Sequence, residues 1–270
     1  MSLVVEGALA LDTEVQSVLG GGDAIVEQGV TVRYLLAHTS GIGDYLDESA
    51  IADIEDYVSE VPVDRLARPA DFLPMLRGRP AKFQPGTGFA YCNSGYVLLA
   101  LLIEAVSGRS YYDVVQERVC SPAGMHATAF FRLDELPESA AIGYLPSRAW
   151  RSNQLHVPVR GAGDGGAYST AGDIARLWTA LFTGRIVPLT VVTEMVRPQH
   201  DVAPSSRKYG LGFWLANGRE AVLLEGSDAG ISFRSTFEPS TGLLYSVLSN
   251  TTSGAWPVVS ELEAVLPELT

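Results

Sequence analysis

The chain changes from helical to strand-like periodicity near Tyr209, and this change constrains the fold more than any other feature. Beyond it come four short segments rich in β-branched and aromatic residues, YGLGFWL, AVLLE, GISFRSTF and LLYSVLSN, separated by turn formers such as NGRE and EPSTG. This alternation predicts an antiparallel meander. A final helix over 257–266 is expected to pack on the sheet.

The clearest helix precedes this region. Its apolar body spans Tyr96–Val106, with Asn93 or Ser94 as the expected N-cap and Gly108 as the stop. Because the segment is apolar nearly all round, we expect this helix to be buried on most sides.

Two capping boxes and a short apolar segment mark further helices. Ser110-x-x-Asp113 and Thr170-x-x-Asp173 each predict a helix start, and VRYLLA predicts a short helix over 32–37. Helices first and strands last indicate an α+β fold.

The composition is that of a globular chain whose charge disfavours two classes of partner. Its 270 residues, 47% of them hydrophobic, suffice to bury a core. A formal net charge of -12 repels phosphate, so we expect no nucleic-acid partner and no membrane surface. The N-terminal segment lacks a basic region and is not interpreted as a signal peptide, which predicts a cytoplasmic location as given. Cys92 and Cys120 are expected to be free thiols.

Several motifs stand in an informative order: HTSG at 38–41, FQPGTGFAYCNSGY at 83–96, GGAYSTAGDIARL at 165–177, then YGLGFW and GSDAGISFRS. Together they resemble the serine β-lactamase and penicillin-binding-protein superfamily, particularly its esterase and D-aminopeptidase branch related to class C β-lactamases. The resemblance covers nearly the whole chain. It implies a β-lactamase/transpeptidase-like α+β architecture. In it, an antiparallel sheet with terminal helices (1–29 and 164–270) faces a helical lobe (30–163) across a cleft.

The same resemblance implies site residues. In this family the serine of an S-x-x-K motif is the nucleophile, and the lysine and the tyrosine of Y-x-N help to take its proton. Tyr91 matches that tyrosine, and Asn93 matches the asparagine that contacts the substrate. Glu225-Gly226-Ser227 stands at the K-T-G position, and the N–H of Asp228 is expected to complete the oxyanion hole. The resemblance implies no cofactor and no metal.

Two departures from the family pattern matter. The S-x-x-K helix would lie upstream of LVVEGALALD, so its serine and lysine, and the strands before them, are not among the 270 residues. Glu225 stands where the family has lysine or histidine. A cation that would hold a substrate carboxylate is thereby exchanged for an anion that is expected to repel one.

Without that lysine, Tyr91 is expected to be a neutral phenol. A free phenol has a pKa of about 10, so roughly one part in a thousand is ionised at pH 7. Lowering the pKa to about 7 would need roughly 4 kcal/mol from nearby cations. The alternative interpretation of Tyr91 is a structural tyrosine at a helix entry.

Other matches are interpreted as incidental. Ser205-x-x-Lys208 fits S-x-x-K formally, but it lies in a loop before a strand instead of opening a helix. The run 161–166 fits G-x-G-x-x-G without a βαβ context, and we expect only a turn that leads into the helix at Thr170. His38 is expected to be structural.

Two functional hypotheses remain open. The chain is a serine hydrolase for β-lactams, D-amino-acid peptides or esters whose working start lies upstream, or it is a non-catalytic protein of the same fold that binds a small molecule or peptide. With the N-terminal strands lacking, Leu243–Asn250 would become a sheet edge without charge or proline, which predicts a homodimer paired along it.

Overall fold

The computed structural model describes residues 1–20, 26–203 and 207–266. The α-helices are α1 (Ser2–Val5), α2 (Val15–Leu19), α3 (Val32–Leu36), α4 (Leu73–Leu76), α5 (Asn93–Ser107), α6 (Tyr111–Val115), α7 (Ser121–Ala123), α8 (Ala171–Phe182), α9 (Leu189–Met195) and α10 (Ala255–Val265). Short 3-10 turns cover Ile54–Asp56, Val63–Arg65, Pro69–Phe72, Pro146–Arg148 and Asn153–Leu155, and a π-helical turn covers Gln116–Cys120. The strands are β1 (Tyr144–Leu145), β2 (Arg151–Ser152), β3 (His200–Val202), β4 (Arg207–Tyr209), β5 (Trp214–Leu215), β6 (Val222–Asp228), β7 (Ile231–Glu238) and β8 (Leu243–Ser249).

Strands β3 to β8 form one antiparallel sheet in chain order, which confirms the predicted meander and the α+β class. The structure adds β3, which the periodicity did not mark, and a separate pair of β1 with β2. Strand β5 pairs with β6 at Val222 and Leu223. Within the described part of the chain, the rest of β6 therefore has a free edge on that side, while β8 stands at the end of the strand order.

The two largest of four hydrophobic clusters among the described residues organise the molecule. The larger surrounds α5 and includes Val97, Leu98 and Leu102 of that helix, so its predicted burial is confirmed. The second lies between α8 and the sheet. Trp178 is fully buried there and donates its indole N–H to the Ser235 hydroxyl of β7 at 2.8 Å. The cleft described below lies between α5 and the sheet.

The predicted N-cap of α5 is wrong, although the helix and its stop at Gly108 (φ +66°) are confirmed. The Asp44 carboxylate accepts the backbone N–H groups of Asn93 (2.8 Å) and Ser94 (2.9 Å). A carboxylate from a distant loop thus satisfies two of the free N–H groups at the helix start, and its charge suits the positive end of the helix dipole.

The other helix starts follow the sequence closely. Ser110 accepts the Asp113 N–H at 3.2 Å, and Thr170 accepts the Asp173 N–H at 3.1 Å, as the capping boxes predict. Helix α10 begins at Ala255, earlier than expected, because the Ala255 N–H already donates to the Ser232 hydroxyl of β7 at 3.0 Å. This contact holds the final helix on the sheet, as predicted.

The described residues also show the state of the thiols and the character of the helices. Cys92 and Cys120 are buried free thiols. Within the described ranges, no helix combines the length and the apolarity that a bilayer crossing requires. The same residues contain no group of three His, Cys, Asp or Glu side chains placed to hold a metal ion.

Candidate active-site cleft

A cavity of about 180 Å³ lies between the start of α5, the glycine-rich loop before α8 and the inner strands of the sheet. Its polar side chains include Tyr91, Asn93, Asp164 and Glu225, and the rings of Tyr96, Tyr209 and Trp214 also line it. The structure therefore brings together three of the predicted site residues from segments far apart in sequence. The volume is comparable with the cavity of about 150 Å³ that can hold benzene.

Tyr91 lies deep in this wall. Its ring packs against His38, with centroids 4.2 Å apart, and is nearly parallel to Trp214 at 6.2 Å. Burial, with the negative charge of Glu48 as a smaller cause, raises the pKa of Tyr91 well above its ordinary value. The phenol is therefore neutral near pH 7. Among the described residues no hydrogen-bond partner of its hydroxyl is found, which leaves this group available to a ligand in the cavity it lines.

His38 supports Tyr91 from below and is structural, as expected. Only 1% of its surface is exposed, and its Nδ1 accepts the Cys92 N–H at 3.1 Å. The proton must then reside on Nε2, which lies 3.1 Å from the Tyr209 hydroxyl. Burial lowers the pKa of His38 to about 3, so the ring is neutral at physiological pH.

The side-chain amide of Asn93 is fixed by the loop over residues 44–48. Its Nδ2 donates to the Leu46 carbonyl at 3.0 Å and to the carboxylates of Asp44 at 3.3 Å and Glu48 at 3.4 Å. Burial raises the pKa of both carboxyl groups. The amide is thus held rigidly at the cavity wall.

Asp164 is the functional candidate that sequence reasoning missed, because the glycine run was expected to be only a turn. A Cβ at Gly163 would lie 2.0 Å from the Tyr96 carbonyl oxygen, so only glycine allows the loop to lie this close to α5. This approach places the next residue in the cavity wall, where the Tyr45 hydroxyl donates to the Asp164 carboxylate. Burial, reinforced by Asp228 and Asp44, raises the pKa of Asp164 to about 7. The sequence signal that could have indicated Asp164 is an acidic residue flanked by glycines on both sides.

Glu225 lines the cavity at the expected place, but its charge is balanced. The carboxylate forms ion pairs with Arg207 at 3.3 Å and with Arg234, which lies directly opposite it on β7. Arg234 also pairs with Glu263 of α10 at 2.6 Å. Because two guanidinium groups balance this carboxylate, the predicted repulsion of a ligand carboxylate by Glu225 loses its electrostatic basis.

The remaining predicted residues follow Glu225 along the same strand. Gly226 and Ser227 are exposed and lie outside the cavity lining. Burial raises the pKa of Asp228 to about 6, and its carboxylate accepts the Ala229 N–H at 2.7 Å. The Asp228 backbone N–H as an oxyanion donor stays a prediction. Ser205 lies outside the described residues.

The β6–β7 turn beside Asp228 is braced from outside the sheet. The Thr252 hydroxyl accepts the Gly230 N–H at 2.9 Å and donates to the buried carboxylate of Glu55 at 2.5 Å. Asn153 donates to the Ala229 carbonyl at 2.9 Å. These bonds fix the end of β6 relative to the helical segment that carries Glu55.

A tyrosine, an asparagine and residues of β6 thus line one cavity of a mixed α+β fold. Residues 1–269 match the family described as Beta-lactamase, and the chain belongs to this family of serine hydrolases, which includes penicillin-binding proteins, D-aminopeptidases and esterases.

Relatives of each type are similar to the chain. Penicillin-binding protein 4* of Bacillus subtilis is 32% identical over 213 residues, which cover 72% of this chain and 44% of the relative. Esterase EstB of Burkholderia gladioli is 27% identical over 79% of this chain and 61% of its own length. The chain thus spans about half the length of these curated relatives.

Two solved structures share the fold. A penicillin-binding protein from Bacillus halodurans superposes with a TM-score of 0.91 at 36% identity, covering 98% of this chain and 81% of that one. An octameric penicillin-binding-protein homologue from Pyrococcus abyssi gives 0.84 at 26% identity, covering 98% of this chain and 62% of that one.

Proposed function

We propose that the cavity is an acyl-transfer cleft of the β-lactamase family and that these 270 residues bind an acyl ligand there without turning it over. The observation that carries this proposal is that Tyr91, Asn93 and Glu225 line one cavity in a chain that matches the family over 1–269. The names of the relatives suggest β-lactams, D-amino-acid peptides and esters as ligand classes.

The chemistry of the cavity supports the proposed lack of turnover. Covalent acyl transfer in this family needs an activated serine, and its S-x-x-K helix is expected upstream of LVVEGALALD. Tyr91 cannot replace them as a base near pH 7, because burial raises its pKa instead of lowering it. What remains is a shaped cavity with fixed polar groups, which is suited to binding.

A second candidate is a working serine hydrolase whose S-x-x-K helix is encoded before Met1. The partial coverage of the relatives favours it, since the chain spans 44% of penicillin-binding protein 4*. The in-frame DNA upstream of Met1 separates the two candidates. An S-x-x-K codon run there supports the enzyme, and a stop codon supports the binding protein.

The binding proposal is tested with p-nitrophenyl butyrate, a neutral ester, and a chromogenic cephalosporin. Ligand-detected NMR should show that the ester binds, and absorbance should show no release of p-nitrophenol above that of buffer. Trp214→Ala should weaken ester binding because the ring lines the cavity. Turnover of either compound by the 270 residues, or ester binding unchanged in Trp214→Ala, would contradict the proposal.

A further inference from the structure

We propose that the cavity holds a primary ammonium group between the Asp164 carboxylate and the rings of Tyr91 and Trp214, so that the ligand carries an amine at this position. The inference rests on the proposed function, since it takes the cavity to be the ligand cleft. It moves the determinant of ligand charge from Glu225, where the sequence placed it, to the glycine-rich loop.

The charged groups around the cavity are carboxylates or paired arginines. Within the described part of the chain, no lysine or arginine lines it. The negative groups that act on Asp164 are Asp228 and Asp44, and Glu48 acts on Tyr91 and Asp228. The guanidinium groups of Arg207 and Arg234 on the sheet are paired with Glu225, which lines the cavity. A cation is therefore the charge that the cavity favours.

The polar atoms of the wall match the donors of an ammonium group. A primary ammonium has three N–H donors and no acceptor. Among the described residues, Tyr45 is the one side chain found to donate to the Asp164 carboxylate, and it does so at Oδ2. The Asp164 carboxylate, which also accepts its own backbone N–H, and the hydroxyl oxygen of Tyr91 are therefore two acceptors of the cavity wall that face a ligand.

The aromatic wall supplies the remaining attraction. Tyr91 and Trp214 are nearly parallel, with an interplanar angle of 10°, and both line the cavity. A cation within about 6 Å of a tryptophan or tyrosine ring is attracted by the negative face of the ring, most strongly where water is excluded. The alkyl part of the ligand would pack on Leu223 and Leu224, which line the same cavity.

The protonation of Asp164 makes the proposal measurable. Its pKa is raised to about 7. The titratable groups that act on it are Tyr45, Asp44 and Asp228. Its charge in turn raises the pKa of three tyrosines, Tyr91, Tyr111 and Tyr112. An alkylammonium keeps its charge in this range, since amines titrate near pH 10. Its affinity should therefore rise about tenfold between pH 6 and pH 8, as Asp164 ionises.

The test is calorimetric titration of the whole chain with n-butylammonium chloride at constant ionic strength. We expect saturable binding at pH 8 that is about tenfold weaker at pH 6, and weaker binding of tetramethylammonium, which lacks N–H donors. Butyrate and 1-butanol should bind far less. Asp164→Asn should lower the affinity at pH 8 by at least about tenfold and remove the pH dependence. Glu117→Gln is the matched control: it removes the same charge from an exposed pair with Arg109 and should change nothing.

Tyr45→Phe separates a direct role of Asp164 from a structural one. The Tyr45 hydrogen bond lowers the pKa of Asp164, so its removal should move the midpoint of the pH dependence upward. Equal binding by Asp164→Asn, pH-independent binding, or a preference for butyrate would overturn the inference. If p-nitrophenyl butyrate binds and n-butylammonium does not, the inference fails while the proposed function stands. If neither binds, both fail.

Discussion

The Nε2 atom of His38 lies 3.1 Å from the hydroxyl of Tyr209, and this contact ties the floor of the cleft to β4. On its other side the same ring accepts the Cys92 N–H, at the residue that precedes α5. One buried imidazole thus connects the helix start, the sheet and the ring of Tyr91, which packs on it.

His38→Phe should destabilise the protein by about 2–4 kcal/mol, because it leaves the buried Cys92 N–H without its acceptor and removes one of the two side-chain partners of the Tyr209 hydroxyl. His126→Gln, at an exposed position, should cost less than about 0.5 kcal/mol. Urea unfolding at pH 8 compares the three proteins. If His38→Phe lowers the free energy of unfolding no more than His126→Gln does, these hydrogen bonds do not stabilise the fold.

The neutral state of His38 also predicts a pH dependence. Its folded pKa of about 3 lies below the ordinary histidine value of 6.5, so the folded state binds fewer protons than the unfolded state between these values. This contribution is present above pH 6.5 and is lost as the pH falls toward 3, by up to about 1.4 kcal/mol per pH unit. The stability difference between wild type and His38→Phe should therefore narrow on acidification, and a constant difference would contradict the account.

Asp44→Ala should cost about 2–4 kcal/mol, well above an ordinary cap. Its buried carboxylate accepts the N–H groups of Asn93 and Ser94 and the Ser94 hydroxyl, and alanine leaves all three unsatisfied. Ser110→Ala removes an exposed cap of α6 and should cost about 1 kcal/mol. If Asp44→Ala and Ser110→Ala lower the melting temperature equally, water has replaced the Asp44 carboxylate at the start of α5 and the account is wrong.

Asp164→Asn should stabilise the protein above pH 7. The folded pKa of about 7 exceeds the ordinary aspartate value of 3.8, so ionised Asp164 lowers the stability of the folded state, by up to about 1.4 kcal/mol for each pH unit between these values. Asparagine can still accept the Tyr45 hydroxyl without the charge. The gain in melting temperature should be largest at pH 7–8 and shrink toward pH 4. A variant that is less stable than wild type at pH 8 would contradict the raised pKa.

Strand β8 stands at the end of the described sheet, and we propose that two copies associate along it. Leu248 is 44% exposed on a strand without charge or proline, and among the described residues no further strand pairs with β8 beyond β7. Leu248→Lys should convert a dimer into a monomer in light scattering. Leu189→Lys, at a leucine of α9 that is 53% exposed, should not. A monodisperse wild-type monomer at high concentration would refute the proposal.

The sequence predicted what local chemistry determines. The meander, the capping boxes at Ser110 and Thr170 and the glycine stop at Gly108 depend on neighbours within a few residues, and the structure has all of them. The motif order also placed Tyr91, Asn93 and Glu225 around one cleft.

What the sequence could not predict depends on contacts across the fold. Asp44 caps α5 from 49 residues away, so the local candidates Asn93 and Ser94 were the wrong choice. Glu225 is balanced by Arg207 and Arg234, a pairing that follows from strand register. Asp164 enters the cavity because Gly163 lets its loop lie against Tyr96, which no periodicity reveals.

We propose that the cleft of these 270 residues binds an acyl ligand without covalent chemistry. Intact-protein mass spectrometry after incubation with radiolabelled penicillin tests this most directly. The account predicts a protein of unchanged mass, no retained label and no hydrolysed penicillin above the buffer control, while p-nitrophenyl butyrate still binds reversibly. A mass increase of one penicillin on any serine, Ser205 included, or accumulation of hydrolysed penicillin would contradict it.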